Sequence, residues 1–498
     1  MSDLAPLLVA LPVFGSVVAL LAGLARDRVG WAVAVLTLVV QTAVAGTLMA
    51  DVLGSEAIRY VVGGFTVPIG IELVVDGLSA TIALLVAVVS LGVLAYARRA
   101  GPRSNAFYVI YLLLVAGLSG MSITGDIFNM YVFLEITGLT AYALVASGDG
   151  GRSAIAGLKY LLVGTVGASL FLLGIGFAYI ATGTLNMGDL ATQLAEVGYG
   201  SPLVLAAFGL LVVGLFVKIA VFPLHTWQPA AYAGAPDSVS AFISALVSTV
   251  AAYALIRIVF TVFGTEFLAA TPLASTVLAA GAVVSIVVGS LLAVSQSELK
   301  RMLAYSSVSQ FGLIVGAVAV GNVVALTGAA IHLVGHAIMK GGLFLAVGLV
   351  NDVTGARTVD EYAGLAKRSP VGAAAFSMLA VAMVGVPPAV GFVGKWYIAL
   401  GAVEAGAWPL VVVIFASTLL TLAYFARVVE RIYFRDSTET SGLAPTATDG
   451  GEDDAPEPVV SVGMRATVVA AAVVAVALGA VAAGYGDLLE PTIEGLLS

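Results

Sequence analysis

The sequence contains no cysteine among its 498 residues. Disulfides, thiolate metal sites, cysteine-ligated iron–sulfur clusters and cysteine nucleophiles are therefore excluded from this chain. Any redox chemistry in which the protein takes part would have to occur in a partner protein. We predict no cofactor, no metal and no bond-making catalysis for the chain itself.

Charged side chains are also scarce. They make up 10% of the residues, whereas a soluble domain carries about 25%. Hydrophobic residues reach 60%, and the mean hydropathy is +1.09. Because a helix needs about 20 apolar residues to span a bilayer, the chain has room for about fourteen spans and only short connectors. We predict an all-α, multi-pass protein of the cell membrane that is solvated mainly by lipid.

Apolar runs alternate with charged or Gly/Pro-rich connectors along the whole chain. The predicted spans lie near residues 4–24, 30–50, 74–96, 107–124, 128–147, 159–182, 202–222, 239–262, 273–294, 301–320, 323–350, 374–400, 409–434 and 463–484. The segment 58–73 alternates β-branched residues with Gly and Pro, which predicts an extended or hairpin loop outside the membrane.

Charge also predicts the orientation of the chain. The formal net charge of −8 argues against a nucleic-acid partner. Basic residues cluster in alternate loops, at Arg98, Arg152, Lys300, Lys367 and their neighbours, while the other loops are mostly acidic. The positive-inside rule then places the basic loops in the cytoplasm and both termini outside.

The spans group into repeats. Five consecutive spans form each repeat, and an odd number of spans makes consecutive repeats inverted in the membrane. In this scheme Lys218 is assigned to the third span of its repeat and Lys395 to the fourth, so the two repeats match imperfectly. The predicted units are amino-terminal helices with an outer extended loop (1–106), a first repeat (107–262), a second repeat (263–435), an acidic cytoplasmic linker (436–460) and a last helix (461–498).

Three lysines and one glutamate that stand inside apolar spans are Lys218, Lys340, Lys395 and Glu135. A charge at the centre of a membrane helix costs about 2.5–3.5 kcal/mol on insertion scales, so stability alone would not retain four of them. A movable Lys–Glu pair can bind and release a proton. We therefore interpret Glu135 and Lys218 as such a pair, the alternative being a purely structural salt bridge. For Lys395 the alternative to a functional role is that its side chain extends so that the amine lies at the membrane interface.

Prolines interrupt the two spans that hold Lys218 and Lys395. Pro223 follows the first lysine, and Pro387 and Pro388 precede the second. Proline removes a backbone donor and clashes with the preceding turn, which breaks or ends a helix. Paired interruptions in the two halves of a transporter indicate its binding site.

Two histidines and a lysine recur at intervals of four residues, at His332, His336 and Lys340. This spacing places all three on one helix face. Neutral imidazole both donates and accepts, so such a row can relay protons between distant lysines. Two alternatives stay open. One is a haem or metal bound by the histidines; the other is a pair of histidines satisfied by neighbouring backbone at a helix interface.

Hydroxyl side chains lie along the span 239–262, and we take Ser244, Ser248 and Thr249 as a candidate water path. Small hydroxyls also serve close helix packing, which is the stronger alternative here. Asp237 stands at the inner end of this span. We predict that it caps the helix N-terminus, with proton entry as a second role.

Several segments resemble the antiporter-like subunits shared by Mrp-type multisubunit sodium/proton antiporters, respiratory complex I and membrane-bound hydrogenases. The resemblance covers nearly the whole chain. It rests on VFLEITGLTAYALVA, FVKIAVFPLHTWQPAAYAGAPDSVSAFISAL, LKRMLAYSSVSQFGLIV, HLVGHAIMKGGLFL and GVPPAVGFVGKW. Among the branches, the length, the HTW and GAPDSVSA segments and the single extra carboxy-terminal helix are most similar to the D-type subunit of Mrp antiporters.

The resemblance implies fourteen helices, two inverted five-helix repeats with broken seventh and twelfth helices, and a charged axis across the middle of the membrane. Lys218 would pair with Glu135, and Lys395 would end the axis. One position departs from the family pattern, because Thr249 stands where relatives usually carry a lysine midway along the eighth helix. We expect water near Thr249 to replace that lysine.

The function expected from these residues is proton translocation in a multisubunit sodium/proton antiporter, with other membrane subunits as partners. The alternative is the proton-pumping arm of a complex I-like or hydrogenase-like redox enzyme. A third interpretation is a scaffold subunit whose ion path has decayed, as the loss of lysine at Thr249 would allow.

Overall fold

The computed structural model describes residues 2–26, 29–53, 56–148, 150–436 and 460–498. The predicted acidic linker, apart from its two end residues, lies outside the described residues. Regular structure in the described part of the chain is helical except for one two-stranded sheet.

The helices, numbered in chain order, are α1 Leu7–Ala25, α2 Gly30–Val52, α3 Gly77–Ala100, α4 Asn105–Ile123, α5 Ile127–Ala146, α6 Gly151–Thr182, α7 Met187–Val197, α8 Pro202–Ile219, α9 Gln228–Gly234, α10 Asp237–Ala270, α11 Pro272–Val294, α12 Leu299–Val320, α13 Val323–Thr354, α14 Leu365–Arg368, α15 Pro370–Val384, α16 Val390–Glu404, α17 Trp408–Phe434 and α18 Val462–Leu497. Helix α10 includes π-helical turns at Ile243–Val247 and Ile258–Phe263. Short 3₁₀ turns lie at Ser2–Leu4, Val62–Gly64 and Asp360–Tyr362. Strands β1 Ile58–Val61 and β2 Glu72–Val75 pair in antiparallel fashion as a hairpin.

Thirteen helices of the described chain are long and apolar enough to cross a membrane. Helices α15 and α16, with 15 residues each, together form a fourteenth, interrupted span. Large apolar side chains cover the outside of the bundle: Leu24 is 81% exposed and Leu419 is 68% exposed. Lipid can solvate such a surface and water cannot. The prediction of an all-α, multi-pass fold of about fourteen helices is confirmed.

The connections between spans divide between two faces. The face that carries Arg103, Arg152, Lys300 and Arg357 is called the basic face below, and the face that carries the β1–β2 hairpin is called the hairpin face. Helix α18 ends at the hairpin face, where Thr265 donates its hydroxyl proton to the carbonyl oxygen of Leu497 at 3.3 Å. Helix α1 begins at the same face, so both ends of the described chain lie there.

The central helices form two sets of five spans that run in opposite directions. The first set is α4, α5, α6, α8 and α10, and the second is α11, α12, α13, α15 with α16, and α17. Lys218 and Lys395 both lie in the fourth span of their set. The assignment of Lys218 to a third position is wrong, because α4, α5 and α6 each cross the membrane before α8.

Both fourth spans are broken near their lysine. Helix α8 ends at Ile219, and Ala220 takes a left-handed conformation with φ 66°. Pro223 lies in the connection that follows. Helix α15 ends at Val384, and Gly385 leaves the helix with φ 93°, a conformation that glycine adopts readily. Pro387 and Pro388 lie between this point and the start of α16. The predicted broken helices are therefore present.

Helix α18 packs against the second of these breaks. A Cβ atom on Gly479 would overlap the carbonyl oxygen of Pro388. Only glycine allows so close an approach of two backbones. The carboxy-terminal helix is thus fitted to the break that precedes Lys395.

Replacing Gly479 by valine should displace α18 from the break, because backbone atoms and not a flexible side chain occupy the space. Overpacking of this kind costs about 1–3 kcal/mol. We expect a lower thermal unfolding temperature for the purified protein than in the wild type.

The matched control is Gly484→Val on the same helix, since a Cβ on Gly484 meets no heavy atom within 4 Å. Equal unfolding temperatures for the two variants would show that the close approach at Gly479 does not hold α18 in place.

Candidate functional site

Lys218 lies in the last turn of α8, where the helix is broken, and only 5% of its surface is exposed. Its Nζ atom is 3.8 Å from Oε1 of Glu135 and donates a hydrogen bond to the hydroxyl of Tyr142 at 3.1 Å. Glu135 and Tyr142 are seven residues apart on α5, which puts both on one face of that helix. The negative end of the α8 dipole also favours a cation at this position. The predicted Glu135–Lys218 pair is therefore brought together.

Aromatic side chains fix the break beside Lys218. The indole nitrogen of Trp227 donates to the carbonyl oxygen of Val217 at 2.8 Å. The ring of Trp227 stacks on Tyr160 with 4.0 Å between the ring centroids. A carbonyl group in the last turn of α8 thus accepts from a side chain in addition to the backbone N–H of Ala220.

Lys340 is fully buried on α13. Its amine donates to the carbonyl oxygen of Leu303 at 3.0 Å and to the hydroxyl of Ser306, both on α12. Among the ion pairs of the described residues, none includes Lys340. A lysine held only by neutral oxygens can give up its proton at a modest cost.

His332 and His336 continue the same face of α13 away from Lys340. Their rings are 6.4 Å apart between centroids, and His336 also contacts the ring of Phe311. Both histidines are fully buried, and neither ring has a hydrogen-bond partner among the described residues. The interpretation of histidines satisfied by neighbouring backbone is therefore wrong. No group of three or more candidate metal ligands occurs in the described part of the chain.

Lys395 lies on α16, shortly after the second break. Its amine donates to the carbonyl oxygens of Met383 and Val384, at 2.8 and 3.1 Å, at the end of α15. Lys395 is 6% exposed, so its charged end does not reach a membrane interface. A Cβ on the preceding Gly394 would lie 2.8 Å from the Cβ of His332, so α16 packs directly against the histidine row.

Neutral polar groups lie beside Lys218, between α9 and the helix α10 that carries Thr249. Gln228 on α9 donates through Nε2 to the hydroxyls of Tyr232 and Ser248, at 3.1 and 3.4 Å. Ser248 donates in turn to the carbonyl oxygen of Lys218 at 3.4 Å. Thr249 and Ser244 instead donate to carbonyl oxygens of their own helix. Of the candidate water-path hydroxyls, Ser248 alone links α10 to Lys218.

Sequence reasoning missed Gln228, Gln310 and Tyr142. Gln310 lies one turn beyond Ser306 on α12, is fully buried and has no hydrogen-bond partner on either amide atom among the described residues. This glutamine could be seen in the sequence, because it stands inside an apolar span. A polar side chain is unfavourable there unless it finds a partner. Buried polar atoms of this kind are normally satisfied by ordered water.

Asp237 is the first residue of α10, but it does not cap the helix. Its carboxylate binds Nζ of Lys300 on α12 at 2.6 Å, and no side chain caps the α10 N-terminus. The capping prediction is wrong because a full charge nearby competes successfully with the backbone amides for the carboxylate.

A second buried ion pair, which the sequence did not reveal, lies toward the hairpin face. Asp76 caps α3 and accepts hydrogen bonds from Arg257 of α10 at 2.5 Å and from the backbone of Ser79 at 2.9 Å. Arg257 also donates to the hydroxyl of Tyr253, which donates to the carbonyl oxygen of Ser122. Burial raises the pKa of the Asp76 carboxyl, but Arg257 and the hydrogen bonds from Ser79 outweigh it and hold that pKa below its usual value.

Replacing Asp76 by asparagine should destabilise the protein by about 3–5 kcal/mol, because it leaves a buried guanidinium without a counter-charge. The measurement is thermal unfolding of the purified protein at neutral pH. Since the pKa of Asp76 is lowered by folding, its stabilising effect is present at neutral pH and is lost as pH falls through the lowered pKa.

The double variant Asp76→Asn with Arg257→Gln removes both charges and should recover part of the lost stability. A single variant that unfolds at the wild-type temperature would show that the pair contributes nothing to the fold.

The fold and the buried lysines define an antiporter-like subunit of the membrane. The chain belongs to the NADH:quinone oxidoreductase/Mrp antiporter transmembrane family, whose pattern matches residues 124–421. The matched region runs from the start of α5 into α17, so of the two sets of five spans it lacks α4 and the last part of α17. It contains Glu135, the three buried lysines and both histidines.

Relatives come from both branches of the family. The chain is 48% identical over 387 residues to the N-type subunit of the NADH-quinone oxidoreductase of Desulforudis audaxviator, covering 76% of each chain. It is 35% identical over 382 residues to the D-type subunit of the Na(+)/H(+) antiporter of Bacillus subtilis, again covering 76% of each chain.

The similarity to solved structures covers nearly the full length of the chain. A chain of an archaeal respiratory membrane complex, the membrane-bound sulfane sulfur reductase, superposes with a TM-score of 0.88 at 30% identity, covering 99% of this chain and 98% of that one. A chain of the Mrp complex from Dietzia sp. DQ12-45-1b gives the same TM-score at 26% identity, covering 100% and 98%. These relatives are subunits of multisubunit membrane complexes.

Proposed function

We propose that this chain is the proton-translocating subunit of a multisubunit monovalent cation/proton antiporter, with sodium as the expected cation. The observation that carries the proposal is the buried row of ionisable groups. It begins at the Glu135–Lys218 pair, continues through Lys340 and the two histidines, and ends at Lys395. Each lysine is held by oxygens that tolerate both its charged and its neutral form.

In the proposed mechanism a proton arriving near Glu135 weakens its attraction for Lys218. The lysine then gives its proton to the hydrated polar groups around Gln228 and Gln310, because desolvation disfavours an unpaired ammonium. The proton passes along Lys340, His336 and His332 to Lys395. Neutral imidazoles suit this step, since each can accept and donate at once.

The orientation of the chain is part of the proposal. The basic face would lie in the cytoplasm and the hairpin face outside, as the distribution of arginine and lysine favours. Both termini would then be external. The two sets of five spans would act as paired half-channels, one around the break after Lys218 and the other around the break before Lys395.

A second candidate function is proton pumping within a complex I-like or hydrogenase-like redox enzyme. The 48% identity to an NADH-quinone oxidoreductase subunit favours it. The same buried row would serve, but electron transfer in partner subunits would provide the driving force. The row of residues is common to both functions, so the partners distinguish them.

The experiment is to purify the chain from its own cells under mild conditions and determine the intact complex by mass spectrometry. The antiporter proposal predicts small membrane subunits without iron–sulfur or nickel proteins. It also predicts that sodium chloride dissipates the pH gradient of everted vesicles in the absence of any electron donor. Iron–sulfur partners together with a strict requirement for an electron donor would contradict the antiporter and support the redox enzyme.

A further inference from the structure

A group of polar side chains at the basic face lies outside the row described above. Tyr96 on α3 and Tyr362 in the 3₁₀ turn Asp360–Tyr362 are both fully buried. Among the described residues neither hydroxyl has a hydrogen-bond partner. Both tyrosines lie within electrostatic range of the Asp237 carboxylate. Two buried hydroxyls without partners thus belong to the region around the Asp237 carboxylate at the start of α10.

Gly348 on α13 lies beside Tyr96 and Asp237 and leaves space there, because it has no side chain. A Cβ at this position would lie 2.8 Å from the hydroxyl oxygen of Tyr96 and 3.1 Å from Cγ of Asp237. The hydroxyl and the carboxyl therefore face the same side of the glycine without a direct hydrogen bond. We call Tyr96, Asp237, Gly348 and Tyr362 the mouth site.

Asp237 also borders an open cavity on its other side. A cavity of about 620 Å³ at the basic face is lined by Asp237, Lys300 and Val347 together with several arginines. The charged group in direct contact with Asp237 is Lys300, whose Nζ is 2.6 Å from Oδ1. The other charged groups on this side are Asp352, which is exposed at the end of α13, and the lining residues of the cavity Arg103, Arg152, Glu298 and Arg357. Asp237 thus separates an open cavity from a buried pair of hydroxyls.

A buried hydroxyl without a partner costs about 1–3 kcal/mol, and two of them beside one carboxylate would be a considerable loss. Such groups persist in native proteins where ordered water satisfies them. Gly348 is two turns from Lys340 on the same helix, since 340, 344 and 348 are spaced by four residues. Water at Gly348 would therefore lie on the face of α13 that continues to Lys340.

We infer that the mouth site binds water and exchanges protons between the basic face and the buried row. In this step a hydronium in the cavity gives its proton to the Asp237 carboxylate, which passes it to water held by the two tyrosine hydroxyls. The ion pair with Lys300 is lost while Asp237 is protonated and forms again when the proton leaves. The reverse order releases a proton, and no other covalent bond changes. The inference rests on the proposed proton translocation, because it assigns that path an opening at the basic face.

The first test observes bound water directly and does not depend on transport activity. A high-resolution electron cryo-microscopy map of the intact complex should show ordered water within hydrogen-bond distance of Tyr96, Tyr362 and Asp237. In the variant Gly348→Ala the added methyl group should displace that water. A dry site in the wild type would overturn the inference.

The second test measures the rate of sodium-driven proton exchange in everted vesicles. The double variant Tyr96→Phe with Tyr362→Phe, and separately Gly348→Ala, should each slow exchange at least about tenfold. The sodium concentration for half-maximal rate should not change. Tyr108→Phe is the control, because this tyrosine is equally buried at the basic-face end of α4 and packs on Phe107.

The two proposals fail in different ways. Wild-type rates in the double tyrosine variant, together with loss of exchange in Lys218→Met, would overturn the mouth site and leave the proposed function standing. Wild-type rates in Lys218→Met would overturn the proposed function. In that case the hydration map alone decides whether the mouth site holds water, and a dry site again overturns it.

Discussion

Replacing Lys218 by methionine is expected to reduce sodium-driven proton exchange by at least about 100-fold, which is the size of effect seen when a positioned proton carrier is lost. Methionine keeps the length of the side chain but cannot bind a proton. The ammonium of Lys218 is the group that faces Glu135 and Tyr142 at the break in α8. The measurement is the initial rate of dye dequenching in everted vesicles after addition of sodium chloride.

Two further variants separate transport from stability in this prediction. Tyr142→Phe removes the hydroxyl that accepts from Lys218 and should reduce the rate much less, because the proton-binding groups remain. Glu135→Gln combined with Lys218→Met removes both charges, so it should restore thermal stability but not transport. Recovery of transport in that double variant would mean that the pair is structural, as the alternative interpretation of the sequence holds.

Replacing Lys395 by glutamine is expected to have a similarly large effect, with a loss of at least about 100-fold in the same assay. Glutamine can still donate to the carbonyl oxygens of Met383 and Val384, so the break between α15 and α16 should stay intact. The lost property is the ability to bind and release a proton at the end of the row.

Lys395→Leu provides the comparison. Leucine removes the hydrogen bonds as well as the charge and leaves two carbonyl groups without their donor, so it should lower the unfolding temperature more than glutamine does. If Lys395→Gln transports at the wild-type rate while Lys395→Leu is inactive, Lys395 acts as a cap for α15 and not as a proton carrier.

Much of the fold followed from composition. A span of about 20 apolar residues can be recognised from its own stretch of sequence, so the fourteen spans and the two breaks could be predicted. The position of the first break within its set was wrong, because Lys218 was assigned to the third span and lies in the fourth. The positions of Lys218, Lys340 and Lys395 were also visible, because a charge inside an apolar run stands out. The spacing of His332, His336 and Lys340 fixed their common face.

The contacts between distant segments could not be predicted in the same way. The Asp76–Arg257 pair joins residues 181 positions apart, and each residue alone looks like the charged end of a span. Asp237 was assigned to the nearest backbone amides, whereas the fold brings Lys300 of another helix to it. Local pattern predicts which residues share a helix face, and packing decides what that face meets.

Thr249 illustrates a second limit of prediction from the sequence. The departure from the family pattern was clear from the sequence, but the fate of its hydroxyl was not. Thr249 bonds to Ala245 within its own helix, and Gln228 with Ser248 occupies the region next to Lys218 instead. The interpretation of a decayed path rests on the missing lysine and stays an alternative, which the transport rates of the Lys218 and Lys395 variants test.

Proton movement coupled to sodium through the buried row is the central claim, and proteoliposomes containing the purified complex test it most directly. With pyranine trapped inside and no electron donor present, an outward sodium gradient should acidify the interior. Reversing the gradient should make the interior alkaline, and Lys218→Met should abolish both changes. No pH change in the wild type, or a change of equal size in Lys218→Met, would contradict the claim.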